Sequence, residues 1–159
     1  MRLKHQEFVE LTKRAFVDSL AYAEVFPASW LAGYTRPDAF IVQWSSVGRE
    51  HIEGKQEWIG SYDRHYIIEC KVSPEDALRA PFQLLMSLVS IGRFRDLDFA
   101  HGGVSPVLAI PPNLRHGLIE AKRYNDLLAV FKELRFGVAI IRQEEPRIEW
   151  AISPGNFRA

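Results

Sequence analysis

An acid and an amine stand two residues apart at the end of an apolar run, Arg64-His65-Tyr66-Ile67-Ile68-Glu69-Cys70-Lys71-Val72. The β-branched and aromatic residues make this segment a strand. Residues two apart on a strand share a face, so Glu69 and Lys71 project together while Cys70 points the other way. Such a pair beside a greasy strand is costly unless it is ion-paired, metal-bound or open to a cleft. An earlier strand, Asp38-Ala39-Phe40-Ile41-Val42-Gln43-Trp44, opens with another acid directly after Pro37. Glu-x-Lys also occurs at Glu53-Gly54-Lys55 and Glu120-Ala121-Lys122. The first of these sits in a glycine-bearing loop and the second on a helix, where residues two apart do not share a face. Context singles out Glu69-Cys70-Lys71.

The positioning elements follow from periodicity. Phe8, Leu11, Ala15 and Phe16 recur at helical spacing within residues 4 to 20, with Lys4, Lys13, Arg14 and Asp18 outside the stripe. Pro27 and Gly33 bracket a loop, and residues 45 to 62 form a long hairpin connection or an excursion of undecided form. Ser73-Pro74-Glu75-Asp76 is a helix start, with an N-cap serine, a proline at the first position and acids in the first turn. Pro81 should bend or restart that helix, which continues through Leu84, Leu85, Leu88 and Ile91. Val104 to Ile110 is a short buried strand stopped by Pro111-Pro112. Asn113 is placed to cap one helix reaching Phe136, which Gly137 ends. Val138 to Ile141 and the alternating Arg147 to Ile152 then pair as an antiparallel hairpin. Strands joined through helices imply an α/β fold, a mixed central sheet flanked by helices.

Composition limits what such a chain does. It has 159 residues, 47% hydrophobic and 25% charged, which fits a single domain over 1–159 that buries roughly 70% of its unfolded surface. Twenty basic residues balance twenty acidic ones, so nucleic acid is not coated by charge alone, although a local basic groove remains open. One cysteine excludes an intrachain disulfide and a cysteine-based zinc site, and makes a reducing compartment the default. The charged start and the polar residues within Phe82 to Ile91 give neither an export signal nor a membrane span. A cytoplasmic protein is the expectation.

These residues and their order resemble the PD-(D/E)XK nuclease superfamily, the restriction-endonuclease-like fold. Its αβββαβ core carries an acid after proline near the start of one strand and (D/E)-x-K on the next. Pro37-Asp38 and Glu69-Cys70-Lys71 match, with 30 residues between the two acids. The later helix and β-hairpin read as a C-terminal extension. The resemblance implies a Mg²⁺-dependent nuclease, with Mn²⁺ able to substitute, that hydrolyses DNA phosphodiester bonds. It implies that Asp38, Glu69 and the backbone carbonyl of Cys70 hold the ion, because a hard cation takes carboxylate and carbonyl oxygens. Lys71 would orient the attacking water and offset transition-state charge. Glu7, in the first helix, would add an outer or second-metal ligand. Gln83, in the helix after the motif, would bond a phosphate or hold the lysine.

Plainer readings stand beside these. Glu69 and Lys71 also make sense as a structural ion pair, Asp38 as a turn residue, Glu7 as surface and Gln83 as the polar face of a helix. Cys70 reads as a small buried residue rather than a nucleophile. His5, His51, His65, His101 and His116 show no metal-binding spacing, and no phosphate-cradling loop or nucleophile elbow is present. Arg36, Arg64 and Arg79, together with His65, Arg93 and Arg95, flank the site as candidate phosphate contacts. Trp30, Tyr34 and Tyr62 are candidates for stacking on bases. A homodimer or a targeting partner protein would suit so small a nuclease. The competing function is a non-catalytic nucleic-acid-binding or regulatory module on the same fold.

Overall fold

A computed structural model describes residues 3–31, 36–44, 49–52, 55–58, 62–94 and 103–157. The chain opens with α1 (His5–Ser19), then β1 (Ala23–Phe26), a short 3₁₀ turn at Ala28–Trp30, and β2 (Ala39–Trp44). After β3 (Arg49–Ile52) and β4 (Lys55–Trp58) come β5 (Tyr62–Cys70), α2 (Pro74–Phe94) and β6 (Gly103–Ile110). The C-terminal part adds α3 (Pro112–Glu120), α4 (Tyr124–Leu134), β7 (Gly137–Arg142) and β8 (Arg147–Ile152). Six strands form one mixed sheet in the order β1-β2-β5-β6-β7-β8, while β3 and β4 pair in a separate two-stranded ribbon. Strands β5, β6 and β7 run parallel, and β1, β2 and β8 are antiparallel to their neighbours. With the ribbon set aside, α1-β1-β2-β5-α2-β6 is the expected αβββαβ core.

Both sheet faces are covered, which explains why β6 is buried along its whole length. On one face, Phe8, Leu11, Ala15 and Phe16 of α1 pack on Ala39, Ile41, Ile68, Cys70 and Ala139. On the other, Ala77 and Leu84 of α2, Leu114 of α3 and Phe131 of α4 pack with Phe40, Ile67, Leu108 and Ile140. Alternation along β2 and β5 therefore decides which helix layer each side chain meets. No helix among the described residues is long and apolar enough to cross a membrane.

Four sequence expectations are corrected. Residues 113 to 136 form two helices, because α3 stops at a left-handed Lys122 (φ 57°). There Arg123 N–H donates to Leu118 O and Lys122 N–H to Ile119 O, the paired bonds of a Schellman stop. Pro111, not Asn113, is the N-cap of α3. Helix α4 ends the same way at Arg135 (φ 59°), whereas Gly137 lies inside β7, where a Cβ would stand 2.9 Å from Pro154. Finally, Pro81 does not restart the helix, since α2 is continuous from Pro74 to Phe94. The start of α2 is as expected, with Asp76 N–H donating to Ser73 Oγ. Because glycine adopts positive φ without steric cost, Lys122→Gly should stabilise the chain by up to about 1 kcal/mol. An upward shift of the urea midpoint at constant slope is the readout.

Candidate active site

The site grows from the antiparallel register of β2 and β5. Ala39 faces Ile68 and Phe40 faces Ile67, so Asp38 arrives opposite the end of β5. Asp38 shares a face with Phe40, and Glu69 with Ile67, so both acids lie on the α2 side of the sheet. Beyond Ala39 a side chain takes over the ladder: Cys70 N–H donates to Asp38 Oδ2 at 2.8 Å. On its other side β5 stays tied to β6, with Lys71 N–H donating to Ala109 O at 3.1 Å. The last residues of β5 are thus fixed from both flanks.

The side chains that extend from this frame are tightly coupled. Glu69 is only 4% exposed, and its carboxyl is pushed up to about 8. Burial is the main cause, and the Asp38 carboxylate adds to it through charge and a shared hydrogen bond, while Lys71 opposes the shift. Lys71 Nζ stands 3.9 Å from Glu69 Oε2, with its side chain 13% exposed. With its value near 8, Glu69 keeps its proton at neutral pH, and a divalent cation would favour the ionised form instead. The Cys70 thiol is fully buried on the opposite face, and burial moves its ionisation far above the usual range, so it has no nucleophilic character.

This coupling has a sign that can be tested. The folded-state value of Glu69 lies above its ordinary 4.5, so the protonated form favours folding below about pH 4.5. That contribution is lost as pH rises toward about 8. The melting temperature of metal-free protein should fall across this window, and Glu69→Gln should flatten the fall. A profile that rises across the window in the wild type would contradict the buried acid pair.

Helix α1 contributes a residue that sequence spacing did not flag. His5 Nε2 lies 3.3 Å from Asp38 Oδ2 and 3.1 Å from the Cys70 carbonyl oxygen. Glu7, expected there, is exposed and instead caps α1, accepting a hydrogen bond from Lys4 N–H at 3.3 Å. Two residues along a helix is a turn of about 200°, so a helix that presents His5 to the sheet end directs Glu7 away. No local motif marks His5; its partners stand far along the chain and only the fold brings them together.

The remaining candidates divide. Gln83 Oε1 is buried without a hydrogen-bond partner among the described residues, so it does not hold Lys71. Arg36 is exposed two residues before Asp38, at the site's end of the sheet. Arg64 is not at the site: it pairs with Gly103 five residues back along β5, about 17 Å away at strand rise. Arg79 is exposed on α2, whose buried positions among the described residues are Ala77, Ala80, Leu84, Ser87, Ser90 and Ile91. His65 is a core residue, 2% exposed, stacked on Phe40 and bonded through Nδ1 to Gly103 O. Tyr34 and Arg95 lie outside the described residues, as do the side chains of Trp30, Tyr62 and Arg93.

Two clefts open near these groups. One of about 240 Å³ is lined by Asp38 with Lys13, Phe26 and Pro27. The other, about 840 Å³, lies where α3 begins and β7 turns into β8, and Arg142, Arg147 and Asn113 line it. Parallel register puts the ends of β5, β6 and β7 at one rim, so this cleft and Glu69 share a sheet edge. Its guanidinium charge is partly spent, since Arg142 contacts Glu149 at 2.7 Å.

Among the described residues no three His, Cys, Asp or Glu side chains form a group able to hold a metal ion. A cation would therefore depend on the Cys70 carbonyl together with Asp38 and Glu69. That donor set is all oxygen, which suits Mg²⁺ or Mn²⁺.

The six-stranded mixed sheet, the helices on both faces and the αβββαβ order define a restriction-endonuclease-like α/β fold. The chain is similar to the crystal structure, at 1.60 Å, of an XisH family protein from Nostoc punctiforme PCC 73102. The TM-score is 0.52 and the identity 13%, covering 90% of this chain and 97% of that one. XisH proteins have a PD-(D/E)XK-like fold. No protein-family model and no curated protein sequence matches the chain.

Proposed function

We propose that the protein is a Mg²⁺- or Mn²⁺-dependent nuclease that hydrolyses phosphodiester bonds of DNA. One observation carries this reading. Asp38, at the entrance to β2, accepts from the N–H of Cys70 next to Glu69, and its charge acts on the Glu69 carboxyl beside the Lys71 ammonium at the rim of the sheet. Structural ion pairing explains Glu69 with Lys71, but it gives no reason to set a second carboxylate, that of Asp38, beside the buried first, which costs stability.

Asp38, Glu69 and the Cys70 carbonyl would hold the ion. When bound, the ion supplies Lewis-acid relief of the charge that builds on the phosphoryl oxygens. Lys71 orients the attacking water and places positive charge where negative charge develops. Arg36, exposed at the same end, is positioned for a phosphate of the substrate backbone. Nicking of supercoiled DNA by the wild type but not by Asp38→Ala or Glu69→Ala supports the assignment. Equal nicking by all three overturns it.

One observation favours a second reading, a nucleic-acid-binding module without turnover: Glu69 is nearly inaccessible. Titration with Mg²⁺ separates the two. A working site raises the melting temperature by mass action, and an inert one leaves it unmoved.

A further inference from the structure

We infer that two copies of this chain pair through the outer face of α2, with the helices antiparallel about a two-fold axis between residues 83 and 84. On that face Leu78, Phe82, Leu85 and Val89 stand between 41% and 67% exposed. From Ala80 to Gly92 the helix carries no charged residue. A surface helix normally sets charged side chains opposite its buried stripe, and one that is apolar on both sides belongs in an interior. Helix α2 already buries Ala77, Ala80, Leu84 and Ile91 in the core beneath it. Its second apolar stripe needs a second partner.

The spacing indicates what that partner is. Successive positions of the stripe are separated by four, three and four residues, the alternation that keeps one side of a helix turned toward another helix. The series reads the same in both directions. In the antiparallel pair, Leu78 meets Val89 of the second copy and Phe82 meets Leu85 of the second copy. Each contact then occurs twice, as a self-complementary two-fold interface requires. The stripe offers roughly 400 Å² of apolar surface per copy, so pairing removes about 800 Å² from water at the centre alone. Stable interfaces bury about 1,200–2,000 Å² in total, and Met86 and the exposed Arg79 beside the stripe extend the contact toward that size. Helix α2 starts three residues after Lys71 and is about 30 Å long. Pairing would therefore set the two acid pairs at opposite ends of the helix pair. The dimer does not depend on the proposed nuclease activity, and its test reads mass rather than cleavage.

The test is sedimentation equilibrium of the whole chain over a concentration series reaching the high micromolar range. The wild type should approach twice the mass of the single chain. Phe82→Lys and Leu85→Glu should each weaken pairing at least a hundredfold, because each removes a central contact on both sides of the axis. Both positions are exposed, so the circular dichroism of each variant should match the wild type. An equimolar mixture of the two variants should pair again. In that heterodimer the introduced ammonium faces the introduced carboxylate, while the other Phe82–Leu85 contact is native. Val17→Lys, at an exposed apolar position of α1, should leave the dimer intact.

A wild type that stays monomeric at every concentration overturns the inference, whatever else then covers the stripe. So does a dimer that survives both α2 substitutions or is lost in Val17→Lys. Failure of the mixture to pair overturns the antiparallel register. A variant that unfolds would show the stripe to be core, which also overturns it.

Discussion

Lys71→Met should lower the DNA cleavage rate by about 10²–10³-fold while divalent-ion affinity holds or rises. The ammonium is 3.9 Å from Glu69 Oε2 and only 13% exposed, so it acts in a setting that strengthens its field. Methionine keeps the length and apolar stem of the side chain and removes the charge alone. Loss of a cation beside the carboxylates removes repulsion toward an incoming metal, so binding does not suffer. There is one confounding effect. Lys71 now holds the Glu69 carboxyl down against burial and Asp38, and its removal raises that value further. The comparison belongs in pH profiles that extend above 8. A rate that recovers fully at high pH would show that Lys71 serves only to ionise Glu69. A deficit that persists across the profile marks a role in the chemical step.

Phe16→Ala should cost about 3–5 kcal/mol of stability, read from the shift in denaturant midpoint. Phe16 is fully buried between α1 and the sheet, meeting Tyr66 edge-on at 5.6 Å and Trp150 at 5.8 Å. These contacts add aromatic pair energy to the cavity left by truncation. Against a typical total of about 5–15 kcal/mol, the loss is a large fraction of what holds the chain folded. It should also loosen α1 and so the hold of His5 on Asp38. A midpoint within about 0.5 kcal/mol of the wild type would mean that α1 is not anchored as described.

How much of this was legible in the sequence depends on whether the signal was local. The apolar strand that ends in Glu69-Cys70-Lys71 declares both its type and the side shared by Glu69 and Lys71, because alternation is a property of the strand itself. The capped start of α2 was equally plain, since Ser73 and Asp76 bond one another within a single turn. Strand β1 was missed because Ala23–Phe26 is too short to display alternation. The break between α3 and α4 was missed because lysine rather than glycine takes the left-handed position. Arg64, close to Glu69 in sequence, stands nearly a strand length from it in space, because a strand extends the chain. His5 was invisible for the opposite reason: its partners lie at Asp38 and Cys70, and only the packing of α1 unites them.

The first helix and the last strand are bound to one another, with Ile148 N–H donating to Ser19 Oγ and Phe16 set against Trp150. A nascent chain emerging from the ribosome has no β8 until the other strands of the sheet have been made. Until then α1 lacks much of its seat, and the histidine it carries has no fixed address. The arrangement at the rim would thus be complete only after translation has passed β8, and a fragment ending before it would leave Asp38 without its seated neighbour from α1.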